Sequence, residues 1–442
     1  MRKNRSVGWG MDALPRIARG EGSYLYDAAG RRYLDGSGGP AAFSIGHGNR
    51  EVNAAIAAQL QQVACGYRYL FTSEPLEELT ILLLGLCGPA FGHIVYSGSG
   101  SEAVESALKA VLQYWDARRL PGKKHFIARE RSYHGNTLGA LSVSGFLERR
   151  RPFEGSLLDA SFVSAANAYR PLRGLTGAAL TRALADELEE KIEAVGGERV
   201  AAFIYEPVVG AAGGAVPAPE GYARAVQAVC ARHGVLVIAD EVMCGSGRCG
   251  TWRALEHDEA VPDIMAVGKG LAGGYIPLAA TILSRQVGET ILAAHGAILT
   301  GHTYSGHTTA CAAALAVQRI IQREELVARV RSRGERLRGE LRAALEPFEQ
   351  VGDVRGRGYL TGIEFVRDRA TREPQPPERA FAQALGKRAF EDGLIIYPCA
   401  GNVGGTAGDT VIVAPPYNAS EAELAELVEK LTAAVARQAA AA

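Results

Sequence analysis

Three short apolar runs, each ending in an ionisable residue, stand out in the pattern of this chain. Val235, Leu236, Val237, Ile238 and Ala239 lead into Asp240; residues 201–205 lead into Glu206 and Pro207; residues 264–267 lead into Gly268, Lys269 and Gly270. Apolar runs of this length without polar alternation predict strands buried on both faces, as in a parallel sheet. Their polar ends then lie at the carboxyl edge of an open α/β sheet, which is where ligands bind. A carboxylate brought there is costly to bury unless something cationic meets it.

Other elements alternate with these strands. Apolar residues at helical spacing predict helices over 51–62, 75–86, 222–233, 309–322, 325–345 and 381–392, with Leu184, Leu188 and Ile192 marking one more. Short strands are predicted at 93–96, 125–128, 394–397 and 410–414, with a strand pair inside 351–364 and a β-hairpin over 24–39. The helix over 222–233 joins two of the apolar runs, so a right-handed βαβ unit is implied. After residue 101, Val104, Leu108, Val111, Leu112 and Trp115 fall on one helix face. Ser420 and Glu423 have the spacing of a capping box ahead of a final helix with Leu424, Leu427, Val428 and Leu431 inward. Residues 150–180 carry no clear period.

At 442 residues the chain exceeds one ordinary core, and two lobes are expected. An apolar content of 47% with 22% charged residues is that of a soluble globular protein. Lys plus Arg and Asp plus Glu both number 48, a balance that gives no support for nucleic acid or an anionic membrane as partner. The cysteines number seven, and no CxxC occurs, so neither a disulfide framework nor a zinc cluster is suggested. MRKNRSVGWG at the start lacks the apolar core of a signal peptide, and no stretch reaches membrane-spanning length. A cytoplasmic setting is the expectation.

Candidate chemistry gathers where strands end. The strand at 93–96 runs into Ser97-Gly98-Ser99-Gly100-Ser101-Glu102 and then a helix, which is the recipe for holding a phosphate. Free N–H groups and the helix dipole both favour an anion there, the dipole contributing roughly 0.3–1 kcal/mol. Taken by itself the same stretch reads first as an ordinary capped helix, with Ser99 and Glu102 at capping-box spacing, because most Ser/Gly turns bind nothing. Tyr133 and His134 follow the 125–128 strand and could face a planar ligand or be structural. Gly245 to Gly250 is a literal GxGxxG, but no helix opens from it and no acid-tipped second strand follows, so the dinucleotide reading is set aside. Together, a phosphate cradle, a buried carboxylate, an aromatic face and an amine suit pyridoxal 5'-phosphate, which has a phosphate, a ring nitrogen, a flat ring and an aldehyde. A neighbouring carboxylate shifts a partner's pKa by about 1–3 units, enough to keep that ring nitrogen protonated. Asp240 suits this role, and Lys269 suits the aldehyde if its surroundings keep it partly unprotonated.

The stretches YLYDAAGRRYLDGSGG, SGSGSEAVESALK, SYHG, EPVVG, IADEVMCGSGRCG, PDIMAVGKGLAGGYIPLAA, HTYSGHT and DTVIVAPPY occur in this order over nearly the whole chain. In them the chain resembles the class III, omega-type, pyridoxal-phosphate-dependent aminotransferases. The resemblance implies an α/β fold of type I: a large domain on a mostly parallel seven-stranded sheet and a smaller α+β domain. It implies boundaries of 51–320 for the large cofactor-binding domain and 321–442 for the small one, with 1–50 forming part of the latter. Ser99, Gly100 and Ser101 would hold the phosphate, Tyr133 and Val242 would flank the ring, and His134 would be among the cofactor-binding residues. Asp240 would pair with the ring nitrogen beside Glu206, and Lys269 would carry the cofactor. Thr303 would reach the phosphate of the neighbouring subunit's cofactor, implying a homodimer with shared sites.

The implied reaction is a ping-pong transfer of an amino group from an amine or amino acid to an oxo acid, with Lys269 as general base and acid. An aminomutase, racemase or decarboxylating transaminase shares the resemblance, and a nucleotide-binding protein using the glycine loops is the other class. Three positions depart from the family's habit. Met243 stands where Gln often donates to the ring hydroxyl, Thr308 replaces a Pro, and Tyr397 stands where many relatives carry a carboxylate-binding Arg. Arg68, Arg170, Arg248 and Arg355 are the candidates to substitute for it. With small residues over 40–44, tolerance of bulky amines is expected.

Overall fold

The apolar runs form a sheet whose order brings their polar ends together. The computed structural model describes residues 14–440; the expectation for the first ten residues and the end of the terminal alanine run lie outside them. Among the described residues, seven strands pair in the order Phe91–Ser97, Ala279–Ser284, Ile264–Val267, Leu236–Asp240, Val200–Tyr205, His125–Arg129, Ala160–Val163. All run parallel except Ala279–Ser284, which is antiparallel to both neighbours. On one face Ile204, Ile238, Ile264 and Ala266 pack with Val104, Leu108 and Val111 of the helix Gly100–Ala117. On the other, Phe203, Tyr205, Val237 and Ala239 pack with Leu184, Leu188 and Val226 of the helices Gly177–Val195 and Tyr222–Arg232. Burial on both faces, at roughly 1.5–3 kcal/mol for each large side chain, is why these strands read as unbroken apolar runs.

Two strands of this sheet were not anticipated. Ala160–Val163 emerges from the stretch without a period, and Ala279–Ser284 is short and alanine-led. Leu112 is a correction: it is 37% exposed rather than inward. Eight residues after Val104 it has turned about 80° from the direction of Val104, toward the edge of the buried stripe, as the 3.6-residue period requires.

A second sheet is antiparallel, in the order Val351–Arg357, Leu360–Asp368, Ala407–Val413, Tyr397–Val403. Helices Leu326–Leu345, Phe381–Glu391 and Glu421–Ala440 cover it, and Leu337, Leu341, Leu385, Leu427 and Leu431 share a core with Ile363, Phe365 and Val411. The capping box of the last helix closes in both directions: Ser420 N donates to Glu423 Oε2 at 2.6 Å, and Glu423 N to Ser420 Oγ at 3.2 Å. The hairpin Tyr24–Asp27 with Arg32–Asp35 belongs to a third sheet, which Leu394–Ile395 extends in parallel.

One buried ionic cluster ties the second sheet to the first. Glu364 is 0% exposed and accepts from Arg355 Nη1 at 2.5 Å and from Arg170 Nε at 2.6 Å. Arg355 also donates to the carbonyls of Gly213 at 2.8 Å and Gly214 at 3.0 Å, in the loop that follows Glu206. Removing one partner leaves the other charge buried and unmatched. Glu364→Ala is therefore expected to cost about 3–5 kcal/mol, read as a lowered midpoint in urea denaturation. Glu364→Leu combined with Arg355→Met and Arg170→Met should recover part of that loss, because neither arginine is then left facing a missing carboxylate.

Candidate active site

The three apolar runs end at one edge of the sheet, and their terminal side chains converge there. Lys269 follows Ile264–Val267 in a left-handed backbone conformation (φ 43°), between Gly268 and Gly270. A non-glycine residue held there is strained, and such strain gathers at functional sites. Asp240 and Glu206 end the two neighbouring strands and are 4% and 5% exposed. Asp240 Oδ2 lies 2.8 Å from His134 Nδ1, and its Oδ1 accepts from Val242 N at 3.0 Å. Glu206 accepts from Tyr133 N at 2.9 Å and Gly210 N at 2.8 Å.

Burial raises the Glu206 carboxyl above its ordinary range; His134 opposes this and Asp240 adds to it. Burial also lowers the Lys269 ammonium, against the pull of Asp240 and Glu206. Two buried carboxylates and one amine thus share a cavity of about 320 Å³. Tyr133, His134, Val242, Gly100 and Ser101 line the same cavity.

One wall of the cavity is the first turn of the helix Gly100–Ala117. Asn136 N donates to Ser101 Oγ at 2.9 Å, which leaves the hydroxyl proton of Ser101 free to donate. Gly135 approaches so closely that a Cβ on it would stand 2.8 Å from Ser101 Oγ. A Cβ on Gly100 would stand 2.7 Å from Val242 Cγ1. Ser99 takes no place in the lining. Its Oγ accepts from Glu102 N at 3.2 Å as an N-cap, and Glu102 reaches back to Gly98 N at 2.7 Å instead of closing on Ser99. Thr303 is exposed and lies outside the cavity of its own chain.

This geometry has counterparts among known proteins. A family model described as aminotransferase class-III matches residues 10–435. The chain belongs to the class III aminotransferases. It is 42% identical over 424 residues to the uncharacterized aminotransferase YodT of Bacillus subtilis, covering 96% of this chain and 95% of that one. An amine transaminase from an uncultivated Pseudomonas species, solved with pyridoxal phosphate bound, superposes with a TM-score of 0.91 at 35% identity, covering 98% of this chain and 97% of that one. An (S)-enantioselective omega-transaminase from Thermomicrobium roseum superposes with a TM-score of 0.91 at 36% identity, covering 97% and 93%. The fold is therefore type I, the activity is amino-group transfer, and the cofactor is pyridoxal phosphate.

The residues present fit that group. The buried carboxylates call for a cation such as a protonated ring nitrogen, and the glycines of the helix turn leave room that a Cβ would fill. Met243 is buried against Gly210 and lines the cavity; its thioether has no proton to donate to a ring hydroxyl.

None of the four arginines considered from sequence lines this cavity. Arg355 and Arg170 are bound to Glu364, Arg248 donates to the carbonyl of Pro415 at 2.6 Å, and Arg68 stacks on Tyr69. The arginine that does line it is Arg149, beside Tyr397. Its only sequence signal is its place in the run Arg149-Arg150-Arg151, which does not tell which of the three turns inward.

The cradle gives a direct test. Gly135→Ala should weaken uptake of pyridoxal phosphate by about 1–3 kcal/mol, the usual cost of overpacking. Quenching of tryptophan fluorescence would measure it, and unphosphorylated pyridoxal, which does not use the cradle, should lose far less.

Proposed function

We propose that the aminotransferase holds its cofactor by the Gly100–Ser101 turn, Asp240 and Lys269, and that Lys269 is the proton-carrying residue of the reaction. The observation carrying this reading is the convergence of Lys269, Asp240 and Glu206 on one cavity at the carboxyl edge of the sheet. When bound, pyridoxal phosphate supplies a carbonyl for the donor's amine and a ring that withdraws electrons from the donor's carbon. Asp240 Oδ keeps the ring nitrogen protonated, and His134 Nδ1 orients Asp240 from behind at 2.8 Å. Glu206 is fixed by two backbone N–H groups and adds negative charge beside it. Tyr133 and Val242 wall the ring on its two faces, with Ser99 acting through the cap of the phosphate-binding helix. Lys269 Nζ accepts and returns the proton moved on the substrate, and burial of its ammonium makes the neutral amine available nearer to neutral pH. The donors are primary amines and amino acids, and the acceptors are oxo acids.

The same reading takes 51–320 as the cofactor-binding lobe and 321–442 as the small lobe, with 1–50 belonging to the latter. The pairing of Arg32–Asp35 with Leu394–Ile395 supports the last assignment. It also makes the enzyme a homodimer in which Thr303 serves the neighbouring site. Support comes from exposed apolar side chains near that loop: Tyr67, Leu70, Phe71, Leu299 and Tyr304. Tyr69 and Leu299 line one cavity, so the two segments form one surface. Patches of this kind mark protein interfaces. A cytoplasmic setting is supported by the seven free thiols. Among the described residues no helix is long and apolar enough to cross a membrane.

Two experiments test this reading. Borohydride reduction of the cofactor-loaded enzyme should fix the label on Lys269, and Lys269→Ala should bind pyridoxal phosphate without being labelled. A reduced label on any other lysine overturns the assignment.

Mixed dimers of Lys269→Ala and Thr303→Ala chains should contain one site lacking both groups and one site with both. Activity well above either parent is expected; an enzyme fully active as a monomer at working dilution contradicts the shared site.

A further inference from the structure

Arg149 has no assigned task in this site. Its guanidinium stacks 5.1 Å from the ring centre of Tyr133 and 5.3 Å from that of Phe146, with Tyr397 beside it in the cavity wall. Contacts of this cation–π kind use no hydrogen bond, so the rings do not consume the N–H donors of Arg149. The adjacent carboxylate, Glu148, lies 3.6 Å from Arg131 and feels the Arg149 charge without pairing with it. Among the described residues Arg149 forms no ion pair, and it is the one arginine that lines the active-site cavity.

Position adds to this. Arg149, Ala211 and Tyr397 line the inner cavity and also a wider one of about 890 Å³, whose other walls are both apolar (Phe146, Leu147, Phe153) and charged (Glu148, Arg151, Glu154). Lys269 and Asp240 line the inner cavity alone. A substrate whose reacting carbon is at Lys269 therefore has Arg149 at its far end, where the inner cavity opens. Tyr397 is half-buried there, and burial pushes its hydroxyl up to about 12, so it remains a neutral donor at working pH.

We infer that Arg149, with the Tyr397 hydroxyl beside it, grips a substrate carboxylate at the junction of the two cavities, on a residue outside the position where many relatives keep their arginine. This rests on the reading of the site as an aminotransferase centre. It makes the favoured substrates amino and oxo acids whose acid group stands several atoms from the reacting carbon, and it leaves the wider cavity to anything attached beyond. Charge-assisted, planar donor pairs are among the stronger contacts to a carboxylate.

The test uses the cofactor-loaded enzyme with 4-aminobutanoate, the matched carboxylate-free butylamine, and butanoate, which has the acid but no amine. Arg149→Gln is expected to weaken butanoate binding, measured by titration calorimetry, by about tenfold to a hundredfold. KM for 4-aminobutanoate should rise by a similar factor with kcat little changed, butylamine should be affected much less, and Arg149→Lys should recover part of the loss. A merely structural role for Arg149 would instead lower cofactor uptake and penalise both donors alike. Butanoate binding that is absent from the wild-type enzyme, or unchanged in Arg149→Gln, overturns the inference. The underlying reading fails separately, if the wild-type protein neither takes up pyridoxal phosphate nor converts any amine.

Discussion

The structure depends on holding Glu206 and Asp240 out of water at the ends of adjacent strands. Two carboxylates so placed repel each other and have lost their hydration, so each is tied down by donors: Tyr133 and Gly210 N–H on Glu206, Val242 N–H and His134 on Asp240. Those donors come from the loops after three strands, which is why the loop conformations cannot be separated from the charges. The same negative field is what a buried amine and a ring cation answer. Substrate chemistry and local stability are therefore set by one electrostatic arrangement, and the strain at Lys269 persists because its surroundings over-determine it.

Much of this was legible along the chain, for a physical reason. Strands covered on both faces have to be apolar throughout, so their ends show as abrupt polar residues; Asp240, Glu206 and Lys269 were found that way. Where burial leaves no such contrast, sequence reading is weak. Ala279–Ser284 is buried almost throughout, yet its leading alanines favour a helix by propensity, and its neighbours Gly273, Gly274 and Pro277 read only as a turn. Ser99 has the right spacing for either cap or cradle, and only coordinates show that its oxygen is spent on Glu102 N–H. Arg149 illustrates the other limit. A cation is recognised as a ligand-binding group by what it lacks, and the absence of an acid partner is a property of three-dimensional neighbours.

The lobes are joined at the substrate's side of the cofactor site, not at its phosphate side. Arg355 binds the carbonyls of Gly213 and Gly214, Arg248 binds that of Pro415, and Tyr397 enters the cavity from the second sheet. Gly100 and Ser101, by contrast, enter the cavity from the helix that follows the first strand of the large sheet. One cavity is thereby walled by residues of both sheets.

The third sheet has a consequence for the order in which the molecule can be made. Its hairpin is synthesised first, yet Arg32–Asp35 finds its outer partner in Leu394–Ile395, and Tyr24 Oη bonds Glu426 across 402 positions at 2.7 Å. On a ribosome the opening strands must wait, with an unpaired edge, until almost the entire polypeptide has emerged. The large sheet, whose strands all lie between residues 91 and 284, can assemble well before that. Closure of the hairpin against Leu394–Ile395 then follows assembly of the large sheet, and the hairpin acts as its clasp.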